Sequence, residues 1–201
     1  MAEVTLLMWQ LLSDRMLAAA TTLPDLTAWA LSIALLGGYA AVAIPVGLWQ
    51  GFLVWEPIRD WQVIATAILV ALIFPSVFEE VLFRVLWLPH PSEGATISAF
   101  FAWGLVSLGV FIVSHPLNAI VFFPTRRTTF FDPIFLTLAG LLGGICTLAY
   151  GLSGSLWPPV LLHWVIVVIW LLLFGGERRI AGNGEVPDAL GDDYKGRPGT
   201  N

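Results

Sequence analysis

Charge is the scarcest property of this chain. Only 11% of its 201 residues are Asp, Glu, Lys or Arg, against roughly 25% in a soluble globular domain. Hydrophobic residues make up 58% and the mean hydropathy is +0.85. That balance excludes a soluble domain and predicts an integral membrane protein of one domain rather than two. Cysteine is almost missing. Cys146 stands alone, which excludes an internal disulfide and a thiolate metal cage. In its apolar run it is expected to act as a small hydrophobe. The N-terminus lacks the basic region of a secretory signal, since Glu3 is its first charge. Basic runs are missing too, and the net charge of −5, with acidic residues gathered toward the C-terminus, gives no reason to expect nucleic acid as a partner. No internal repeat is visible.

What the chain has in abundance is long uncharged sequence. These runs predict an all-α, polytopic transmembrane bundle with five spans at roughly 27–51, 62–87, 97–122, 134–150 and 158–174, each near the ~20 residues that cross a bilayer. Residues 4–20 are a sixth candidate. Asp14 and Arg15 interrupt that segment, so it is expected either to insert or to lie in the interface. The domain plan is therefore an N-terminal helix over 1–25, a membrane domain over 26–175 and a polar, disordered tail over 176–201. With five spans Arg59, Arg126, Arg127, Arg178, Arg179, Lys195 and Arg197 share one side, against Arg15 on the other. The positive-inside rule then puts the C-terminus in the cytoplasm. Trp55, Trp61, Trp87 and Trp157 fall near span ends, where an aromatic belt belongs.

Against this background the segment Phe78-Glu79-Glu80-Val81-Leu82-Phe83-Arg84 stands out. A single charge at bilayer depth costs about 3 kcal/mol on insertion scales, and here three lie within two helical turns. Glu80 and Arg84 are four residues apart and can pair on one helix face. Glu79 points about 100° away and is left without that cation, in a setting where a carboxylate can act as a general base on water. The plainer reading is a salt bridge that locks helices together, and it applies better to Glu80 and Arg84 than to Glu79. Two further ionisable residues, His115 and His163, lie in other apolar runs. Either could be a packing residue, yet two of them in a chain that also buries two glutamates point to a common site. His90 sits in the turn Pro89-His90-Pro91 and is expected to serve the loop.

The order EExxxR (Glu79, Glu80, Arg84), then FxxxH (Phe111, His115), then a late histidine (His163) resembles the CPBP, or Abi, family of CAAX-processing and bacteriocin-processing membrane proteases. The resemblance spans roughly residues 60–175. The stretch LWPPVLLHWVIVVIWLLL is similar to small prokaryotic, particularly cyanobacterial, members, which implies a bacterial inner or thylakoid membrane. The resemblance implies a metal-independent and cofactor-free endopeptidase. Glu79 would activate water with help from His115, Glu80 and Arg84 would hold the site, and His163 would help to polarise the scissile carbonyl or steady the oxyanion. Its substrate would be a membrane-anchored peptide or protein, with or without a lipid modification. One position departs from the pattern. The family often carries Asn or Asp four residues after the last histidine, where this chain has Val167. Loss of one oxyanion donor raises an activation barrier by about 2.7–4 kcal/mol. Asn118 is a candidate substitute donor, or equally a turn residue after Pro116.

Several functional readings stay open on the sequence. One is the intramembrane endopeptidase, and another is a non-proteolytic scaffold, assembly or immunity factor within a membrane complex that keeps the polar site. A metalloprotease is disfavoured because HExxH is missing, and a transporter because no repeat is visible. Glu79, His115 and His163 lie at different apparent depths, so a shared site requires the third span to be long, tilted or broken near Pro116. Trp87, Trp103, Trp157, Trp164 and Trp170 neighbour the cluster in sequence and are expected chiefly to face lipid.

Overall fold

A computed structural model describes residues 2–181. The described chain is all-α and contains no strand. Helix α1 runs Ala2–Thr21 and α2 Leu26–Trp49. Helix α3 runs Trp61–Val85, α4 Ile97–Val121 and α5 Pro133–Ser153. Helix α6 runs Trp157–Leu173 and α7 Gly176–Ala181. Four of these, α2 to α5, are long and apolar enough to cross a membrane, and α6 is a shorter apolar helix. Helix α1 is not among them. The expected five spans thus resolve into four of full length and a fifth of 17 residues, while the protein as a whole is an integral membrane protein.

Polar residues between the runs set the helix starts. The first N–H groups of a helix lack internal acceptors, and a side-chain oxygen just upstream supplies one. Asp25 accepts from Ala28 N at 2.7 Å, Asp60 from Gln62 N at 2.8 Å, Thr96 from Ala99 N at 3.2 Å and Asp132 from Ile134 N at 2.8 Å. Helix α5 ends at Gly154, whose φ of +63° is the left-handed conformation that glycine adopts without steric penalty.

Helix α5 is the most buried of the long helices and packs against α2, α4 and α6, while α6 also packs against α3. Its small residues allow this. A Cβ at Gly151 would lie 2.5 Å from the Phe100 ring, and one at Gly143 would lie 2.7 Å from Leu108 and 3.0 Å from Arg84 Nη2. Only the C-terminal part of α1 joins the bundle. Ala19 is buried with Val85, Leu88, Tyr150, Leu156 and Val160, and Ala19 O accepts from Leu156 N at 2.9 Å. Arg15 forms an ion pair with Glu93 at 2.7 Å and donates to Leu86 O at 3.3 Å. His90 closes the same corner. Ser92 N donates to its Nδ1 at 3.2 Å, so Nε2 carries the proton and donates to Gly154 O at 2.8 Å. This is the loop role expected of it.

Two expectations need correction. Helix α4 continues through Pro116 as one 25-residue helix, and the irregularity lies in α3 instead. Phe74 leaves the helical region (φ −126°, ψ 113°) just before Pro75, because proline offers no N–H and crowds a helical residue ahead of it. That break lies within a stretch of wider turns over Leu72–Val77, and a second such stretch covers Val81–Val85, so the two flank the glutamates. The second correction concerns the tail. Residues 176–181 are helical, and Arg179 ties them to Phe52 O and Gly51 O at 3.0 Å each. The remainder of the expected tail, including Lys195 and Arg197, lies outside the described residues.

Candidate active site

The site is built around Glu80, which is fully buried, as is Arg84 at 1% exposure. One helical turn separates them on α3, and Arg84 Nε lies 3.1 Å from Glu80 Oε2 as an ion pair, without the alignment of a hydrogen bond. The guanidinium also donates to Gly143 O at 3.0 Å and lies over the Phe111 ring, 4.7 Å from its centroid. Gly143 permits that approach because a side chain there would collide with the guanidinium. The remaining Glu80 oxygen accepts from His163 Nδ1 at 2.6 Å. Three helices, α3, α5 and α6, are therefore joined through one carboxylate and one guanidinium. A buried pair like this is tolerated because each charge is both neutralised and hydrogen-bonded.

His163 faces both glutamates. Its Nδ1 is engaged by Glu80, and its Nε2 lies 3.8 Å from Glu79 Oε2. With Nδ1 donating to a carboxylate, Nε2 is the nitrogen that can address a substrate. The Glu79 side chain keeps 18% exposure, and its Oε2 has no hydrogen-bond partner among the described residues. His115 is held differently. Its Nδ1 donates to Phe111 O at 2.9 Å, and the rings of Phe111, Phe130 and Phe135 meet it edge-on at 4.9, 5.6 and 5.2 Å. That leaves its Nε2 as the free nitrogen. Phe111 touches Arg84, His115 and His163 at once, which gives a physical reason for the phenylalanine of the FxxxH pattern.

Glu79, His115, Asn118 and His163 all line one cavity of about 1220 Å³. Its wall is mainly apolar, with α2, α3, α5 and α6 contributing residues such as Ile44, Ala67, Leu142 and Ile166. Val167 lines it too, one turn beyond His163 and with no donor to offer. The Asn118 amide lines the cavity without a hydrogen bond from its side chain to any described residue. Glu80 and Arg84 stand behind the cavity wall rather than on it. Of the five tryptophans near the cluster in sequence, only Trp170 lines the cavity. Trp164 donates to Ile68 O at 2.8 Å, and Trp103 and Trp157 are exposed. Outside the apolar helices, Glu93 has a perturbed pKa. Burial raises it, but the hydrogen bonds from Arg15 and from the His90 backbone outweigh burial and hold Glu93 below the usual carboxylate range.

Glu80, Cys146 and His163 also present donor atoms within 4.8 Å of one another. Their chemistry argues against a cation. Glu80 Oε1 accepts from His163, and a guanidinium lies 3.1 Å from Oε2, where it would repel a cation. The three groups form a hydrogen-bonded core rather than a coordination shell. The sequence did not signal the bridge from His163 to Glu80 or the contribution of Gly143.

No curated protein and no solved structure matches this chain significantly. The family model for type II CAAX prenyl endopeptidase Rce1-like proteins matches residues 60–169, a segment that covers over half the chain and contains Glu79, Glu80, Arg84, His115 and His163. The chain therefore belongs to the Rce1-like family of type II CAAX prenyl endopeptidases.

Proposed function

We propose that the protein is an intramembrane endopeptidase that hydrolyses a peptide bond of a membrane-anchored, lipid-modified substrate with water activated by Glu79. The observation that carries this reading is the pairing of roles around His163. One nitrogen is bonded to buried Glu80, and the other faces Glu79 across an apolar cavity large enough for a peptide with a lipid chain. Glu79 takes a proton from water, and the hydroxide oxygen attacks the scissile carbonyl carbon. Protonated His163, held by Glu80, donates from Nε2 to the developing oxyanion. His115 Nε2 accepts from the attacking water and orients it. Collapse of the tetrahedral intermediate breaks the C–N bond, and Glu79 returns its proton to the departing amine. Glu80 and Arg84 are positioning residues. Asn118 supplies the oxyanion contact that Val167 cannot. The scheme uses no metal or cofactor.

The basic residues Arg59, Arg126, Arg127, Arg178 and Arg179 support a cytoplasmic location for the α7 end, in a bacterial inner or thylakoid membrane. The test is cleavage of a prenylated, membrane-tethered peptide by purified protein. Glu79→Gln is expected to lower kcat by about 10²–10⁴, the usual range for loss of a general base. Cleavage that persists in Glu79→Gln would remove glutamate from its assigned role. A second reading is favoured by Val167: a non-proteolytic membrane scaffold that keeps the polar core for stability. It predicts no turnover of any tethered peptide and a stable membrane-protein partner on affinity capture.

A further inference from the structure

We propose that α7 is a lid tied over the mouth of the cavity, and that it must swing aside before a peptide chain reaches Glu79 and His163. The cavity opens toward one end of the bundle. Of the turns between helices, only those at the α7 end line it, through residues such as Phe52, Phe123 and Phe130. No described residue of the turns at the other end does so. Helix α7 lies across this opening. Glu177 and Ile180 are three residues apart and so share a helix face, and both line the cavity from α7. Glu177 also acts electrostatically on Arg126, which lines the same cavity from the turn after α4.

One residue ties α7 to two separate parts of the chain. The Arg179 guanidinium donates from Nε to Phe52 O and from Nη2 to Gly51 O, at 3.0 Å each, and lies 4.5 Å from the Phe52 ring centroid. The Arg179 carbonyl accepts from Thr129 Oγ1 at 2.9 Å, and Nη1 lies 3.9 Å from Asp132 Oδ2. The segment after α2 and the segment before α5 are thus joined through Arg179. A helix of six residues is only about 9 Å long and is not stable by its own hydrogen bonds, so these ties decide where it lies. The Arg179 and Asp132 side chains keep 27% and 25% exposure, so water competes for them. Arg178 adds an ion pair with Glu56 at 3.2 Å, and exposed pairs of that kind contribute little. The long helices are held by packed side chains, whereas α7 is held by a few polar bonds at the edge, and such elements open locally before the rest of a fold. Gly175 and Gly176 form the hinge. Gly175 has φ +74°, which glycine adopts without penalty, and a Cβ at Gly176 would lie 2.7 Å from the Trp170 ring. A few residues at the end of an element are enough to absorb such a rotation.

The experiment reads water access to the cavity of the full-length protein in nanodiscs. Ala139 lines the cavity and packs with Phe83 and Phe111, so Ala139→Cys places a thiol inside it. Native Cys146 is fully buried and off the cavity wall, so the chain without the added cysteine reports unfolding. Reaction with a charged, water-soluble methanethiosulfonate is timed in each. Arg179→Gln is expected to speed labelling of Ala139→Cys at least tenfold and to leave Cys146 unreactive. Thr129→Val, which cuts the other tie, should act in the same direction, and Arg179→Lys should fall between parent and Arg179→Gln. Equal labelling rates with and without Arg179 would overturn the proposal, whether both are fast or both slow. Labelling of Cys146 that rises together with that of Ala139→Cys in all three variants would overturn it too, since α7 would then be holding the fold rather than covering the mouth. The labelling needs no turnover. Arg179-dependent labelling in a protein that cleaves no tethered peptide would refute the proteolytic reading alone. Cleavage with labelling independent of Arg179 would refute the lid alone.

Discussion

Removing Arg84 alone should destabilise the fold more than removing Arg84 and the Glu80 charge together. In Arg84→Met, Glu80 loses its cation at 3.1 Å while remaining fully buried. The same substitution removes the bond to Gly143 O and the contact with the Phe111 ring. Breaking a buried pair by deleting one member costs about 3–5 kcal/mol, because a buried charge is left uncompensated. At about 1.4 kcal/mol per factor of ten, the ratio of folded to unfolded protein should fall by roughly two to three and a half orders of magnitude. The double variant Glu80→Gln/Arg84→Met removes both charges and keeps an acceptor for His163 Nδ1. It should recover most of the loss, since replacing both charges of such a pair is often near neutral. Equilibrium unfolding in detergent, run as a double-mutant cycle, gives the coupling directly. Single and double variants of equal stability, or an Arg84→Met protein as stable as the parent, would refute the view that this pair is the electrostatic centre of the bundle.

Three other outcomes are expected. Gly143→Ala brings a methyl group within 3.0 Å of Arg84 Nη2 and 2.7 Å of Leu108; overpacking of this kind costs about 1–3 kcal/mol, and cleavage should fall with stability as the guanidinium shifts. Asn118→Ala should lower kcat by about 10²–10³ if its amide is the oxyanion donor, and Val167→Asn in that background should restore part of the rate while leaving KM little changed. The Glu93 pKa is depressed in the folded protein, so the Arg15 clamp stabilises the docking of α1 above the ordinary carboxylate value of 4.5 and loses that contribution as the pH falls through the folded value. Protease access to α1 should therefore rise on acidification below about pH 4.5, and Glu93→Gln should remove that pH dependence.

Much of this protein follows from one-dimensional features. Lack of charge over 20-residue stretches dictates membrane helices, and the isolated Asp25, Asp60, Thr96 and Asp132 mark their starts because helix N-termini need side-chain acceptors. The isolated Glu79, Glu80 and Arg84 advertise a buried polar centre because charge at that depth is expensive. Local sequence also supports the Glu80–Arg84 pair, since a four-residue spacing places both on one helix face. What no local pattern carries is the relative depth and rotation of separate helices. Packing sets these, through the close approach at Gly143, the displaced backbone at Phe74 and the Phe111 ring wedged among three polar groups. Such contacts join residues dozens of positions apart, so only tertiary structure could bring His163 against Glu80 and move the irregularity from Pro116 to Pro75.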